Sequence, residues 1–175
     1  MRAITEQGRV ATPDEQAALA RWSSWGAVPS IFDESREEHA AERAELRSLL
    51  TDDEYSAARR STVNAHYTDP AYVAAMWKAL ADLGFAGGRV LEPGCGSGTF
   101  IGLAPAGAQL TGVELDPITA RIAAALYPQA DIRSESFADT RYPAGFFDAA
   151  IGNVPFADVR LHDPRYNAGH HALHN

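Results

Sequence analysis

The chain has 175 residues, of which 46% are hydrophobic and 22% are charged, and its formal net charge at pH 7 is −8. This apolar fraction is too high for an intrinsically disordered chain, and the acidic balance argues against a basic nucleic-acid-binding face over most of the surface. The single cysteine cannot form an internal disulfide, and no apolar run approaches the roughly 20 residues that span a bilayer, so a cytoplasmic location is expected.

Residues 1–60 are charged and contain repeated helix-start signals, so we expect a helical N-terminal extension. The signal is a capping box, in which a Ser or Thr and a Glu three residues later each bond the other's backbone N–H. Apolar residues from Trp22 to Phe32 are expected to pack this extension against a neighbouring element. The capping boxes Thr12–Glu15, Ser35–Glu38 and Thr51–Glu54 predict helices at about 13–22, 35–50 and 52–60.

From residue 61 onwards, strand-like and helix-like segments alternate, which predicts an α/β fold with a parallel sheet and helices on both faces. Asp69 and Pro70 are expected to open a helix that Gly84 ends. In a doubly wound sheet the strand order is 3-2-1-4. The predicted strands are Arg89–Glu92, Leu110–Leu115, Ala130–Arg133 and Phe146–Gly152.

The first predicted strand leads into a glycine-rich turn at residues 92–98. Gly94, Gly96 and Gly98 would let the backbone approach a ligand with no Cβ in the way. No lysine follows the turn, which argues against a triphosphate-binding loop, and the glycine spacing differs from that of dinucleotide-binding proteins. Glu114 lies 22 residues after the start of the turn, where a carboxylate accepts both ribose hydroxyls of a nucleoside cofactor.

The tetrapeptide Asn153-Val154-Pro155-Phe156 comes directly after the fourth predicted strand. Because strands 1 and 4 are neighbours in the expected order, this loop should face the glycine turn across one pocket. The Asn153 amide oxygen and the carbonyl beside Pro155 can accept hydrogen bonds from an exocyclic amine, and Phe156 can stack on its ring. Taken alone, the tetrapeptide is typical of a turn after a buried strand, so the functional interpretation depends on its place opposite the glycines.

In this order, the turn at 92–98, the segment at 112–116 and the loop at 153–156 resemble the motifs of S-adenosylmethionine-dependent N6-adenine DNA methyltransferases. The segment at 66–70, His-Tyr-Thr-Asp-Pro, resembles the family segment that precedes the glycine turn and holds the methionine end of the cofactor. The resemblance implies a Rossmann-like methyltransferase fold, S-adenosyl-L-methionine as the cofactor and methylation of the adenine N6 amine in DNA.

The tract at 25–33, together with 151–156, is further similar to the methylase portion of large phage- and plasmid-borne helicase–methylase proteins. In all, the resemblance covers about residues 12–175. It implies that Asn153, Pro155 and Phe156 hold the target base as the catalytic set. No metal site is expected, because no Cys or Glu stands at ligand spacing from the histidines near the end of the chain. The implied cofactor-binding residues are Tyr67, Thr68, Glu92, Gly94, Gly96, Gly98, Glu114 and Phe137.

Two positions depart from the family pattern. Ser136 stands where the family usually has an Asp that accepts from the cofactor adenine amine, and Val154 replaces the first proline of the Asn-Pro-Pro-aromatic loop. Loss of that proline makes the loop less preorganised, while the amide and the ring are retained. Cys95 is explained by small size at a tight turn, and the histidines between 162 and 174 are expected to be solvated.

Only 22 residues follow Asn153, whereas each further strand–helix unit of the fold takes roughly 30 residues. We therefore expect residues 61–175 to be the N-terminal half of a methyltransferase domain, completed by a missing C-terminal half or a complementing chain. DNA contacts would lie largely outside these residues, and the isolated chain would have little or no activity. The alternatives are a methyltransferase for protein glutamine or RNA guanine, and a non-catalytic docking module; a role in restriction, anti-restriction or regulation stays open.

Overall fold

The computed structural model describes residues 2–62 and 67–154, which form helices around a parallel sheet. The helices are α1 (Arg2–Gln7), α2 (Pro13–Leu19), α3 (Ala40–Leu49), α4 (Asp52–Ser61), α5 (Pro70–Asp82), α6 (Thr99–Gly102) and α7 (Pro117–Leu126). The strands are β1 (Gly88–Pro93), β2 (Ala108–Glu114), β3 (Asp131–Ser134) and β4 (Ala149–Ala150). Within this part of the chain no helix is both long enough and apolar enough to cross a membrane.

Two of the three predicted capping boxes are confirmed. The Glu15 backbone N–H donates to the Thr12 hydroxyl at 3.3 Å, and the Thr12 N–H donates to the Glu15 carboxylate at 2.8 Å. Thr51 and Glu54 form the same reciprocal pair at the start of α4. Each box satisfies two backbone donors that a helix start leaves without an internal partner.

The capping box predicted at Ser35 is wrong. The Ser35 hydroxyl and backbone N–H both donate to the Asp33 carboxylate, at 2.7 and 3.0 Å, which forms a local turn instead of a helix cap. A 3-10 turn at Glu37–His39 follows, and α3 begins only at Ala40. The short Asp33–Ser35 contact therefore delays the helix by five residues from the predicted start.

All four strands pair in parallel in the order β3-β2-β1-β4, which confirms the predicted order 3-2-1-4. Helix α5 begins at Pro70 with the Asp69 side chain as its cap, as predicted, and it packs on the core through Val73 and Trp77. The parallel order brings the carboxyl ends of β1 and β4 side by side. This edge of the sheet carries the glycine turn and the start of the 153–156 loop.

Strand β4 is much shorter than the predicted 146–152. Its ladder with β1 ends where the Ile151 N–H donates to the Leu91 carbonyl at 2.9 Å. The next bond of a parallel ladder would need an N–H from residue 93, and Pro93 has none. Phe146 and Phe147, the first residues of the predicted strand, precede the observed strand and pack against Tyr142 with ring centroids 5.3 and 4.7 Å away.

The N-terminal helices dock onto α7, as the apolar residues between Trp22 and Phe32 predict. The Trp22 indole N–H donates to the Thr119 hydroxyl at 3.2 Å, and the Trp25 indole N–H donates to the Asp116 carboxylate at 3.0 Å. Phe32 and Tyr55 extend this aromatic row, with successive centroids 4.7, 5.7 and 5.2 Å apart in edge-to-face geometry. Because α7 follows β2 directly, the aromatic row lies next to the carboxyl end of the sheet.

Candidate cofactor and catalytic site

The glycine turn between β1 and α6 is tightly constrained. Gly96 has φ +55° and Gly98 has φ +90°, values that residues with a Cβ rarely adopt. A Cβ at Gly96 would lie 2.7 Å from Cε1 of Tyr67, and one at Gly98 would lie 2.7 Å from Cε2 of Tyr127. The turn is therefore held between two aromatic rings, and both positions require glycine.

The Glu114 carboxylate reaches this turn from the end of β2. Its Oε2 accepts a hydrogen bond from the Gly96 N–H at 2.9 Å, and its Oε1 accepts one from the Asp116 N–H at 2.8 Å. Burial raises the pKa of Glu114, and these backbone donors partly offset the shift. The structure thus brings together the two features that the sequence places 22 residues apart.

Glu92, the last but one residue of β1, is the second buried carboxylate of the site. It is 2% exposed, and its Oε2 has no hydrogen-bond partner among the described residues. Burial, followed by the nearby charge of Glu114, raises the pKa of Glu92 to about 9. Neither carboxylate forms an ion pair within the described residues. The site therefore combines two desolvated acidic groups without a cation to balance them.

The end of β4 lies against the same turn. An added Cβ at Gly152 would lie 3.5 Å from the Pro93 carbonyl oxygen and 3.6 Å from Cγ of Glu92. Asn153 follows directly and is partly buried, while Val154 is 52% exposed. The structure therefore starts the Asn153 loop beside the acidic end of β1, whereas Pro155 and Phe156 lie outside the described residues.

The other predicted cofactor residues surround the same edge of the sheet. The Tyr67 ring covers Gly96, and burial raises the pKa of its hydroxyl to about 12. Thr68 is partly buried and follows it towards α5. Phe137 is 50% exposed and lies three residues after the end of β3. Just before it, the Glu135 N–H donates to the Glu114 carbonyl at 3.1 Å. This bond places the start of the Phe137 turn next to the end of β2.

Two residues of this region were missed by the sequence analysis. Tyr127 packs over Gly98 and Gly102, and the signal for it is the pair of glycines four residues apart, which leaves room for one ring along α6. Asp116 caps α7, since its carboxylate accepts a hydrogen bond from the Thr119 N–H at 3.0 Å. Its further bond from Trp25 has no signal in the local sequence, because the two residues are 91 positions apart.

The described residues of this site offer neither a reactive cysteine nor a metal-binding cluster. Cys95 is 4% exposed, and burial raises the pKa of its thiol, which disfavours the nucleophilic thiolate. Within residues 2–62 and 67–154, no group of three or more His, Cys, Asp or Glu side chains could hold a metal ion. The histidines of segment 162–174 lie outside the described residues.

Comparison with known proteins connects this geometry to a family. Residues 91–165 match the family model described as a methyltransferase domain. This segment is therefore similar to a methyltransferase domain. It begins in β1 and includes the glycine turn, Glu114 and Asn153. With the sheet order, the match confirms the predicted Rossmann-like fold, and S-adenosylmethionine is the cofactor of this type of domain.

One relative and two solved structures illustrate the similarity. The defense against restriction protein B of Escherichia phage P1 is 30% identical over 97 residues, which is 54% of this chain and 4% of that protein. A TehB-like SAM-dependent methyltransferase from Corynebacterium glutamicum is 25% identical over 49% of this chain and 56% of its own, with a TM-score of 0.36. Magnesium protoporphyrin IX methyltransferase from Synechocystis PCC 6803, solved with bound SAM, is 19% identical over 62% of this chain and 60% of its own, with a TM-score of 0.37.

Proposed function

We propose that this chain carries the cofactor-binding part and the catalytic loop of an S-adenosylmethionine-dependent methyltransferase that acts on the N6 amine of adenine in DNA. The observation that carries the proposal is the meeting of three segments at one edge of the sheet. Glu114 bonds the Gly96 N–H at 2.9 Å, and Gly152, the residue before Asn153, lies against Glu92 and Pro93. This adjacency supports a donor pocket at the glycine turn with a base-binding loop that starts beside it.

The charges of the site suit S-adenosylmethionine. This cofactor carries a sulfonium and an ammonium group, and the site offers two buried carboxylates without a cationic partner among the described residues. Glu92 Oε2, buried and without a partner, is an acceptor for the ammonium end. A carboxylate has about four acceptor sites, so Glu114 keeps two for ribose hydroxyls after its bonds to Gly96 and Asp116.

In the proposed reaction the sulfonium cofactor supplies an activated methyl group, so the chain mainly has to position the nucleophile. The lone pair of an adenine amine is conjugated into the ring, which makes it a weak nucleophile. The Asn153 side-chain oxygen and the backbone carbonyl beside Pro155 would accept its two N–H bonds and stabilise the positive charge that develops on nitrogen. Phe156 would stack on the base once it has left the duplex, which offsets part of a cost of a few kcal/mol.

The choice of DNA adenine rests on the order of the motifs and on the phage P1 relative. That relative is named for defense against restriction, and this chain spans 4% of its length. We propose on this basis that the DNA-contacting surface is supplied by regions outside the described residues. We further propose that the free edge of β4, which pairs only with β1 among the described residues, is completed by a further segment or a complementing chain.

The test compares the full gene product with two variants at Asn153. S-adenosylmethionine binding is measured by isothermal titration, and methylation of DNA, RNA and protein by mass spectrometry of the modified nucleosides and side chains. Asn153→Ala should retain cofactor binding and lose methyl transfer, whereas Asn153→Asp, which keeps an acceptor oxygen, should retain part of it. N6-methyladenine as the product supports the proposal. Normal transfer by Asn153→Ala, or methylated glutamine or RNA guanine as the product, would contradict it.

A further inference from the structure

The side chain of Asp116 connects the N-terminal helices to the end of β2. It is 3% exposed, and its Oδ2 accepts three hydrogen bonds, from the Trp25 indole at 3.0 Å and from the N–H and hydroxyl of Thr119 at 3.0 and 2.6 Å. A buried carboxylate is costly unless it is bonded in this way. The indole is the one donor among these three that comes from outside the cap of α7.

The backbone of the same residue holds the carboxylate of the donor pocket. The Asp116 N–H donates to Glu114 Oε1 at 2.8 Å, and Glu114 Oε2 accepts from the Gly96 N–H at 2.9 Å. Three consecutive hydrogen bonds therefore run from the Trp25 indole to the glycine turn. A change in the position of Asp116 moves one of the two donors that orient Glu114.

Ring packing and hydrogen bonding by Trp25 can be separated. Its ring packs edge-to-face with Trp22 and with Phe32, at centroid distances of 4.7 and 5.7 Å. These contacts need only an aromatic ring. The bond to Asp116 needs the indole N–H, which a phenyl ring lacks.

We propose that Trp25 is a positioning residue for cofactor binding, which acts through Asp116 on the Glu114 carboxylate. The inference rests on the proposed function, because it names the residue in the N-terminal helices that sets the geometry of the same donor pocket. Without the indole donor, Asp116 is held only by Thr119, a residue of its own helix α7. Glu114 then samples orientations that do not match the ribose hydroxyls, and part of the binding energy goes into reordering it.

The test is isothermal titration of S-adenosylmethionine into the 175-residue chain and its Trp25→Phe variant. We expect the dissociation constant of the variant to rise by at least about fivefold, the lower end of ordinary coupling between sites. If Trp25→Phe fails to fold, site-specific replacement of Trp25 by benzothienylalanine removes only the N–H, since sulfur takes its place in a ring of nearly the same shape. The same rise in the dissociation constant is then expected.

A control variant comes from the same interface. Gln16→Ala removes a bond of 3.4 Å to the Ala125 carbonyl at the far end of α7. It loosens the docking of the N-terminal helices, and it bonds neither Asp116 nor Thr119. We expect it to lower the thermal unfolding temperature and to leave the dissociation constant unchanged. An equal loss of affinity in Gln16→Ala and Trp25→Phe would overturn the inference.

A double-mutant cycle tests the route through Asp116. If Trp25 acts through that carboxylate, Asp116→Asn and Trp25→Phe should be non-additive in the binding free energy, while Asp116→Asn and Gln16→Ala should add. Additive effects of the first pair would overturn the inference. Wild-type affinity in Trp25→Phe would overturn it and leave the proposed function intact, whereas a wild-type chain that binds no S-adenosylmethionine would overturn both.

Discussion

The Glu114 carboxylate accepts the Gly96 N–H at 2.9 Å, so one hydrogen bond joins the end of β2 to the centre of the glycine turn. The two residues are 18 positions apart, and the bond forms because β1 and β2 are adjacent and parallel. The contact orients the carboxylate and fixes the turn at the same time. Each of the two residues can therefore be changed to test the donor pocket from a different side.

Gly96→Ala should abolish detectable binding of S-adenosylmethionine. A Cβ at this position meets the Tyr67 ring at 2.7 Å, and the backbone is at φ +55°. The backbone strain alone costs about 1–3 kcal/mol, and relief by movement of the turn would break the bond to Glu114. Titration calorimetry and thermal unfolding of the variant measure the two effects.

The matched control for this substitution is Gly8→Ala. Gly8 has φ +59°, nearly the same as Gly96, and an added Cβ would meet nothing within 4 Å. It should therefore show the loss of stability from backbone strain and bind the cofactor normally. If the two variants lost affinity equally, the close approach of Tyr67 to the turn would have no part in binding.

Glu114→Gln should weaken cofactor binding by about tenfold or more, since a hydrogen bond to a charged group is worth about 1.5–3 kcal/mol. An amide at this position has one acceptor oxygen, while the Gly96 and Asp116 N–H groups both point at the side chain. One of these donors would then face an NH₂ group. Titration with S-adenosylmethionine and with adenosine separates the ribose contact from the contacts to the methionine end.

Glu135→Gln is the matched control for Glu114→Gln. It removes one negative charge as well, but directly after β3. Its partner is Arg133, at 2.6 Å, and within the described part of the chain its side chain forms no hydrogen bond with the glycine turn. The cofactor affinity should stay at the wild-type value. A loss in Glu135→Gln as large as in Glu114→Gln would mean that only the overall charge of this edge matters.

The sheet order could be predicted because the strands are separated by strong turn signals and parallel connections restrict the topology. The length of β4 could not be predicted, although the residue that limits it is present in the sequence. Phe146, Phe147 and Ile151 are all strand-forming residues, and only the pairing partner decides where the ladder stops. Pro93 limits it from the neighbouring strand, which is visible only once the register is known.

At the site, the residues of the glycine turn and Glu114 were predictable from local spacing. The high pKa of Glu92 was not, because it depends on burial of the side chain by elements distant in sequence. The Trp25–Asp116 bond was missed for the same reason. Local sequence patterns identify which residues form the site. The pKa values and long-range hydrogen-bond partners of those residues depend on tertiary packing.

Trp77→Phe should reduce the free energy of unfolding by about 1–2 kcal/mol. The Trp77 indole N–H donates to the Phe100 carbonyl at 3.0 Å in the core between α5 and α6, and Trp77 is 5% exposed. The substitution leaves that carbonyl without its donor and removes part of a packed ring. Urea denaturation measures the change, and Trp22→Phe, at the partly exposed docking surface, should cost less. An equal cost would mean that the buried bond adds nothing to stability.

Glu92→Gln should change the pH dependence of stability. The folded pKa of Glu92 is about 9, above the reference value of 4.5, so its stabilising contribution is complete below about pH 4.5 and is lost as the pH rises through 9. An amide does not titrate, so the variant should gain unfolding temperature relative to the wild type as the pH rises across this window. Thermal unfolding at a series of pH values follows the difference.

Addition of S-adenosylmethionine should reduce that difference, because its cationic groups favour the ionised Glu92 and so recover the cost of burying the charge. The variant should gain less from the cofactor than the wild type as the pH rises across this window, since it offers the ammonium end no charged acceptor. Asp131→Asn, which removes an exposed carboxyl at the start of β3, should leave the cofactor effect unchanged. Parallel pH profiles for Glu92→Gln and the wild type would show that Glu92 is ionised in the folded chain near neutral pH, and that the site has no uncompensated acid for a cationic cofactor to balance.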